Sequence, residues 1–359
     1  MRRERNQYIF ASELTRRSRS HHFRTAVLLF LPIMIAVLWM MNITISRRVQ
    51  VQELRLTVLN LPNDLEGFSI LHLSDLHGER FGEGQKVVDA ALDKTRFSCV
   101  VMTGDMLGED GDVQPLLELI DCLPRDVPKF LIPGDTDGPA VEFQAHSSLS
   151  VYTQWAEELM AAGVQIVDRP VLVTREKARI WFVPEDVYAL DLDGMRKVYA
   201  GELEALNSRS AALSPDDAAK IRALEYELQR VEELKEIRKQ FEDTDIQVVL
   251  THTPLSDEYV SDMVTWSDKG ELFSMRYASL ILAGHYNGGQ WRIPFVGAIY
   301  VPELGWFPED SLVQGLSYIG GIPQYISPGL GSDPHYERQP GRIFNNPTIT
   351  RIVLTRKAN

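Results

Sequence analysis

Acidic and imidazole side chains recur in five short clusters along the chain, each beside a glycine, serine or threonine. The clusters are Ser74-Asp75-Leu76-His77, Thr103-Gly104-Asp105, Pro133-Gly134-Asp135-Thr136-Asp137, Thr251-His252-Thr253 and Gly284-His285-Tyr286-Asn287. In an extended loop the first and third residues point the same way, so Asp75 and His77 can hold one cation. The same spacing applies to His285 and Asn287. Unpaired charges this close together are costly to bury without a metal ion, and the clusters therefore predict a metal site.

Short apolar, β-branched runs precede these clusters and recur later in the chain. They lie at residues 69–73, 99–103, 129–132, 179–183, 246–251, 280–283, 324–327 and 349–354. Apolar runs that end in polar loops are typical of parallel strands, whose carboxyl ends carry the functional loops of α/β proteins. Helical patterns at residues 85–94, 113–122 and 154–162 separate several runs. The alternation predicts an α/β fold with a central sheet.

With these motifs in place, the chain resembles the calcineurin-like metallophosphoesterases. Their fingerprint reads D-x-H, G-D, G-N-H-[DE], a lone H and G-H-x-H, all at strand ends of a two-sheet sandwich flanked by helices. The resemblance covers residues 54–355 except for an insertion. It extends to a membrane-anchored bacterial branch, because residues 288–294 read Gly-Gly-Gln-Trp-Arg-Ile-Pro. Some members of this broader group hydrolyse UDP-diacylglucosamine-type lipid pyrophosphates.

The resemblance implies a hydrolase of a phosphate or pyrophosphate ester that uses a dinuclear metal site. Two divalent cations about 3.5–4 Å apart would be bridged by a carboxylate and by a hydroxide that attacks phosphorus in line. Carried over residue by residue, Asp105 would bridge the two ions. The first ion would also be held by Asp75, His77 and Asn287. The second would be held by Asp135, His252 and His285.

Three positions depart from the family pattern. Asp135 stands for the usual Asn and Asn287 for the usual His, which favours Mn²⁺, with Mg²⁺, Fe or Zn²⁺ as alternatives. Thr136 stands for the His that helps to protonate the leaving group, and Thr is not a general acid near neutral pH. Hydrolysis is slowed less by the loss of this acid when the leaving group is a good one, such as a nucleoside monophosphate. The candidate catalytic residues are Asp105, Thr136 and Asp137.

An uncharged, largely apolar stretch occupies residues 25–46. A helix of this length spans a hydrocarbon core of about 30 Å. The stretch is therefore predicted to be a transmembrane helix. Because more arginines precede it than follow it, the positive-inside rule puts residues 1–24 in the cytoplasm and the residues after the helix on the other side of the membrane. A cleaved signal peptide is the main alternative, although residues 42–46 make a poor cleavage site.

Charge is divided unevenly along the 359 residues. The net charge is −13, although residues 1–24 hold seven arginines and only two glutamates. The rest of the chain is therefore strongly acidic. We expect no nucleic-acid partner, because a phosphate backbone requires a basic surface.

Residues 187–243 depart from the strand–helix alternation. They contain two charged helical stretches with apolar residues spaced by three and four. The second begins with Ser214 as N-cap, Pro215 at the first helical position and Asp217 at the capping-box position. The pattern predicts a helical hairpin inserted into a phosphoesterase domain at residues 50–359. Such a hairpin could be a lid over the site, an arm that binds a partner, or a solvated hairpin that only extends a loop.

Two functions remain open from the sequence. The first is a membrane-tethered, metal-dependent hydrolase that acts outside the cytoplasm on a phosphate ester or a lipid-linked pyrophosphate. The second is a degenerate phosphoesterase that keeps the fold but serves as a binding or scaffold protein, with a protein partner at the helical hairpin. The number of retained clusters favours the first function, and Thr136 favours the second.

Overall fold

The computed structural model describes residues 28–108, 111–143, 151–209, 214–266, 272–333 and 341–356. The chain divides into two units, residues 1–47 and residues 48–359. In the first unit, helix α1 (Leu28–Ser46) is long and apolar enough to cross a membrane, a test that a signal sequence also passes. The predicted tail at residues 1–24 lies outside the described residues.

The second unit contains two six-stranded sheets. The first sheet has the order β1-β16-β2-β3-β4-β5. Its strands are β1 (Gln50–Thr57), β2 (Ser69–Leu73), β3 (Cys99–Thr103), β4 (Lys129–Ile132), β5 (Val164–Ile166) and β16 (Thr348–Thr355). Strands β2 to β5 are parallel, whereas β16 runs antiparallel to β2 and parallel to β1.

The second sheet has the order β14-β15-β9-β8-β7-β6. Its strands are β6 (Val171–Arg175), β7 (Ala178–Pro184), β8 (Ile246–Leu250), β9 (Ala278–Ala283), β14 (Gly315–Ile319) and β15 (Ile322–Ile326). The four central strands are parallel, and the two edge strands β6 and β14 are antiparallel to their neighbours. Two short hairpins follow β9. They are formed by β10 (Arg292–Ile293) with β11 (Gly297–Ala298), and by β12 (Tyr300–Val301) with β13 (Gly305–Trp306).

Apolar side chains from both sheets meet in a central core. Ile70 and Val101 of the first sheet belong to the same buried cluster as Phe182, Val248 and Leu280 of the second. The outer face of the first sheet packs against helices α2 (Lys86–Leu92), α3 (Gln114–Asp121) and α4 (Gln154–Ala161). Helix α7 (Asp257–Trp266) covers part of the second sheet, and the short helix α8 (Asp310–Val313) precedes β14. Because both faces of each sheet are covered, the central strands are largely apolar. This arrangement confirms the predicted α/β two-sheet sandwich flanked by helices.

The inserted segment forms helices α5 (Leu192–Asn207) and α6 (Pro215–Arg238), which we call the helical hairpin. The predicted capping box is confirmed, since Ser214 and Asp217 bond to each other's backbone N–H groups. Val231 and Leu234 on α6 pack into a buried cluster with Trp181 and Val183 of β7. The apolar stripe therefore fixes the hairpin to the outer face of the second sheet.

Candidate metal centre

The polar clusters predicted to hold metal lie at the carboxyl ends of β2, β3, β4, β8 and β9, which face one another across the two sheets. We call the seven candidate ligands the metal centre: Asp75, His77, Asp105, Asp135, His252, His285 and Asn287. Asp75, His77, Asp105, His285 and Asn287 all have positive φ, between 47° and 79°. Such a backbone is uncommon for residues with a Cβ and is concentrated at functional sites.

A first ligand group consists of Asp75, His77 and Asp105, whose potential ligand atoms lie within 4.8 Å of one another. His77 Nε2 is 3.8 Å from Asp105 Oδ2 and 3.3 Å from Asn287 Nδ2. Asp75 Oδ2 and Asn287 Oδ1 are buried and have no hydrogen-bond partner among the described residues. Buried oxygen atoms without a partner are costly, and a divalent cation would satisfy both.

A second ligand group consists of Asp105, His252 and His285, again within 4.8 Å. His252 Nε2 lies 3.3 Å from both Asp105 Oδ2 and His285 Nδ1. Asp135 Oδ2 is 3.3 Å from His285 Nδ1, with its side chain 67% exposed. Asp105 belongs to both groups, so the geometry fits two neighbouring cations that share one carboxylate.

The two histidines of the second group are oriented by oxygen atoms behind them. His252 Nδ1 lies 2.7 Å from the carbonyl of Thr103, which can only accept, so Nδ1 carries the proton and Nε2 faces the other ligands. His285 faces them with Nδ1, while its Nε2 is 3.6 Å from Glu303 Oε1. Carboxylates and carbonyls in this position fix the tautomer of a ligating histidine.

Backbone N–H groups hold the carboxylates of the metal centre in place. Thr136 N–H donates to Asp105 Oδ1 at 2.8 Å, and His285 N–H donates to Asp75 Oδ1 at 2.9 Å. Each bond leaves the second oxygen, Oδ2, for the ligand group. At Gly104, a Cβ would stand 2.5 Å from the Cα of Gly134, so a side chain there would push the β3 and β4 loops apart.

Asp137 and Thr136 occupy different surroundings from the ligands. Asp137 is buried, and its Oδ1 accepts from the N–H groups of Met106 and Leu107 at 2.8 and 2.7 Å. Its Oδ2 accepts from Gly134 N–H at 2.8 Å. Both oxygens of Asp137 are thus engaged with backbone N–H groups, and its catalytic role stays a prediction. Thr136 Oγ1 is buried without a hydrogen-bond partner among the described residues.

Burial and close charges shift the pKa values of the ligands. Burial raises the pKa of Asp75 to about 6 and lowers that of His77. For His252, burial favours the neutral form, but Asp105 and Asp75 outweigh it and raise the pKa to about 9. Burial also opposes the charge of Asp105, but His252 and the Thr136 N–H group outweigh it and lower the pKa. Protons on Asp75 and His252 therefore compete with cations for the same atoms.

A late segment of the chain supports the metal centre and carries no role in the sequence-based assignment. Asn345 Nδ2 donates to the carbonyl of Asn287 at 2.8 Å. The buried Arg342 donates to the carbonyls of Gly331 and Pro328 at 2.7 and 2.9 Å, and Gly331 N–H donates to Asp75 O at 2.6 Å. These residues, like Glu303, lie outside any metal-ligand spacing, so only their place in the fold reveals what they contact.

A comparison with protein-family models agrees with these motifs. A family model described as calcineurin-like phosphoesterase matches residues 68–287. The uncharacterized metallophosphoesterase YkuE of Bacillus subtilis (strain 168) is 31% identical over 105 residues, which are 29% of this chain and 34% of that protein. The match thus spans about a third of that relative. Among solved structures, phosphopantetheinyl hydrolase from Mycobacterium tuberculosis aligns with 80% of this chain and 96% of its own, at 14% identity and a TM-score of 0.35.

Proposed function

This chain belongs to the calcineurin-like phosphoesterase family, and we propose that it hydrolyses a phosphate or pyrophosphate ester with two divalent cations. The observation that carries the proposal is the sharing of Asp105 between two ligand groups. The unpartnered oxygens of Asp75 and Asn287 support it further, because they fit cation ligands. When bound, a pair of cations supplies an activated water and neutralises charge on the phosphoryl oxygens.

We propose that the residues of the metal centre divide into holding and positioning roles. Asp75, His77, Asp105 and Asn287 would hold one cation, and Asp105, Asp135, His252 and His285 the other. Asp137 positions the β4 loop through its three backbone bonds. Mn²⁺ is the favoured metal, because both departures from the family pattern make the site harder. Asn287 offers an oxygen where the pattern has a histidine nitrogen, and Asp135 offers a charged oxygen where the pattern has a neutral amide.

Thr136 narrows the substrate class that we propose. Its hydroxyl cannot donate a proton to the leaving group near neutral pH, so the leaving group departs without an acid from residue 136. A phosphate leaving group of a pyrophosphate bond is more stable as an anion than an alkoxide is. We therefore propose a pyrophosphate ester as the preferred substrate, and a lipid-linked one if α1 anchors the protein with the second unit outside the cytoplasm.

The test is hydrolysis of bis-p-nitrophenyl phosphate and of a nucleoside diphosphate ester by the full chain in detergent with Mn²⁺. Asp105→Asn is expected to abolish hydrolysis, whereas Asp193→Asn, an exposed carboxylate on the helical hairpin, serves as the matched control. The proposal fails if no divalent ion supports turnover of either substrate and the chain binds less than one metal ion.

A scaffold function is the second candidate. The observation that favours it is Thr136, which stands where the family pattern has the histidine that helps to protonate the leaving group. In that case the helical hairpin, whose outer side chains are charged and exposed, would be the contact for a protein partner. The activity and the metal content of Asp105→Asn separate the two candidates. A scaffold has no hydrolytic activity for this substitution to remove, and it does not need two bound metal ions.

A further inference from the structure

A group of large apolar side chains is exposed beside the metal centre, on the two short hairpins after β9. We call it the aromatic platform; it consists of Ile293, Phe295, Val296, Tyr300, Trp306 and Phe307. Phe295 is 109% exposed, Trp306 72% and Val296 62%. Single exposed apolar residues are ordinary, but a contiguous group of aromatic ones marks an interaction surface.

The platform is one continuous surface because the two hairpins lie side by side. Ile299 N–H donates to Trp291 O at 2.9 Å, and Phe307 N–H donates to Ile299 O at 2.9 Å. The Trp306 ring lies 5.0 Å from the Tyr300 ring and 6.4 Å from the Phe307 ring. These aromatic side chains therefore stand on neighbouring strands.

The platform reaches the cleft over the metal centre through Tyr300. Tyr300 and Glu303 line the same cleft as His285 and Asn287. Arg292 donates to the carbonyl of Gly288 at 2.8 Å and pairs with Asp310, which ties the hairpins to the loop that carries Asn287. A surface that binds the platform would lie at the mouth of the cleft over the metal centre.

We propose that the aromatic platform docks into the interfacial zone of a lipid bilayer and so presents the metal centre to phosphoesters at that surface. The inference rests on the proposed function and deepens it, since it makes the substrate a membrane-resident ester. Trp and Tyr are the side chains enriched at membrane interfaces. The same chain carries the apolar helix α1, which is long and apolar enough to cross a membrane.

The charges around the platform indicate what kind of lipid contact to expect. Glu303 and Asp310 adjoin it, and Arg292 is already paired with Asp310. Among the residues that the structure describes, the platform therefore has no basic excess to attract anionic headgroups. Docking comes from apolar burial, so zwitterionic lipid is sufficient and salt has little effect.

The experiment reconstitutes the full chain into phosphatidylcholine vesicles and measures quenching of tryptophan fluorescence by brominated acyl chains. All variants carry Trp39→Phe, because Trp39 lies in α1. Adding Trp306→Phe is expected to remove more than about half of the remaining quenching, since Trp306 is the exposed tryptophan of the platform. Adding Trp155→Phe, which removes a partly buried tryptophan of the first core cluster, leaves quenching unchanged.

Equal quenching with and without Trp306 would overturn the proposal. So would a Trp306 emission that changes with protein concentration but not with lipid bromination, because that result indicates contact between copies of the chain. Hydrolysis of bis-p-nitrophenyl phosphate by the Trp39→Phe chain is measured in parallel. An inert chain with quenched Trp306 contradicts the hydrolase alone, and an active chain with unquenched Trp306 contradicts the bilayer contact alone.

Discussion

The metal centre and the helical hairpin both carry many charged side chains, but they differ in burial and in pairing. In the metal centre, Asp75 and Asp105 are almost fully buried and their oxygens converge on histidines. On the hairpin, Arg196 pairs with Glu232 and Lys235 with Asp193 across α5 and α6, with at least one partner of each pair well exposed. Surface pairs of this kind contribute little to stability, whereas buried charges must be compensated.

This difference shows why residue type alone does not identify a site. The hairpin is richer in carboxylates than the metal centre, yet the described hairpin carboxylates are not part of either three-residue ligand group. What separates the two regions is backbone anchoring. Thr136 N–H and His285 N–H hold one oxygen of each central carboxylate and aim the other inward.

The largest expected effect is that of Asp75→Asn. Loss of a charged ligand from the first group should lower hydrolysis by about 10³-fold, because metal ions contribute several kcal/mol of transition-state stabilisation. Bound Mn²⁺ should fall from two ions per chain to one, as counted by equilibrium dialysis. Asp193→Asn on the hairpin should change neither quantity. Equal effects of the two substitutions would remove the distinction between the regions.

Thr136→His tests whether the metal centre has lost an acid. The new imidazole should raise the rate on substrates with poor leaving groups by about 10²-fold, and less on substrates with good ones. Rates measured over a series of aryl phosphodiesters of increasing leaving-group pKa provide the comparison. A uniform or negative effect across the series would mean that the site is built for a different chemistry.

Glu303→Gln tests whether a residue outside the ligand set acts through His285. Loss of the charge behind Nε2 should weaken Mn²⁺ binding by roughly 10-fold to 100-fold. Calorimetry measures the affinity, and ¹⁵N NMR of the imidazole reports the His285 tautomer. Glu232→Gln is the matched control on the hairpin. An unchanged affinity and tautomer would limit Glu303 to the cleft wall.

The pH dependence of metal binding tests the buried charges directly. Asp75 has a pKa of about 6 and His252 of about 9, and both must release their protons before they bind a cation. The dissociation constant for Mn²⁺ should therefore fall as pH rises from 6 to 9, by about tenfold per unit for each proton released. Calorimetry in buffers of different ionisation enthalpy counts the protons. A constant affinity over this range would contradict the assignment.

The smallest expected effect is on the hairpin itself. Arg196→Met removes an exposed ion pair with Glu232 and should move the unfolding midpoint by no more than about 2 °C. Leu234→Ala, in the buried stripe, should instead cost about 2–5 kcal/mol of unfolding free energy. Circular dichroism on heating and in urea measures both. A large loss in Arg196→Met would mean that ion pairs hold the hairpin.

Local pattern is enough to predict most strands of the two sheets. Each of the eight apolar runs coincides with a strand to within two residues, because a strand covered on both faces is largely apolar along its length. The capping box at Ser214 and the apolar stripe of α6 were likewise readable, since caps and helical periodicity depend on residues a few positions apart. The apolar runs do not include four of the sheet strands, β1, β5, β6 and β14, because each has a partly exposed face or only three residues.

The sequence by itself determined which residue types stand at the strand ends, and hence the family and the candidate ligands. Only the tertiary structure decided that β16 enters the first sheet between β1 and β2, antiparallel to β2. It alone brings Glu303 to His285 and Asn345 to Asn287, and it alone encloses Asp137 among backbone N–H groups. The physical reason is range: periodicity and caps act within a few residues, whereas strand order and converging side chains depend on burial between segments far apart in the chain.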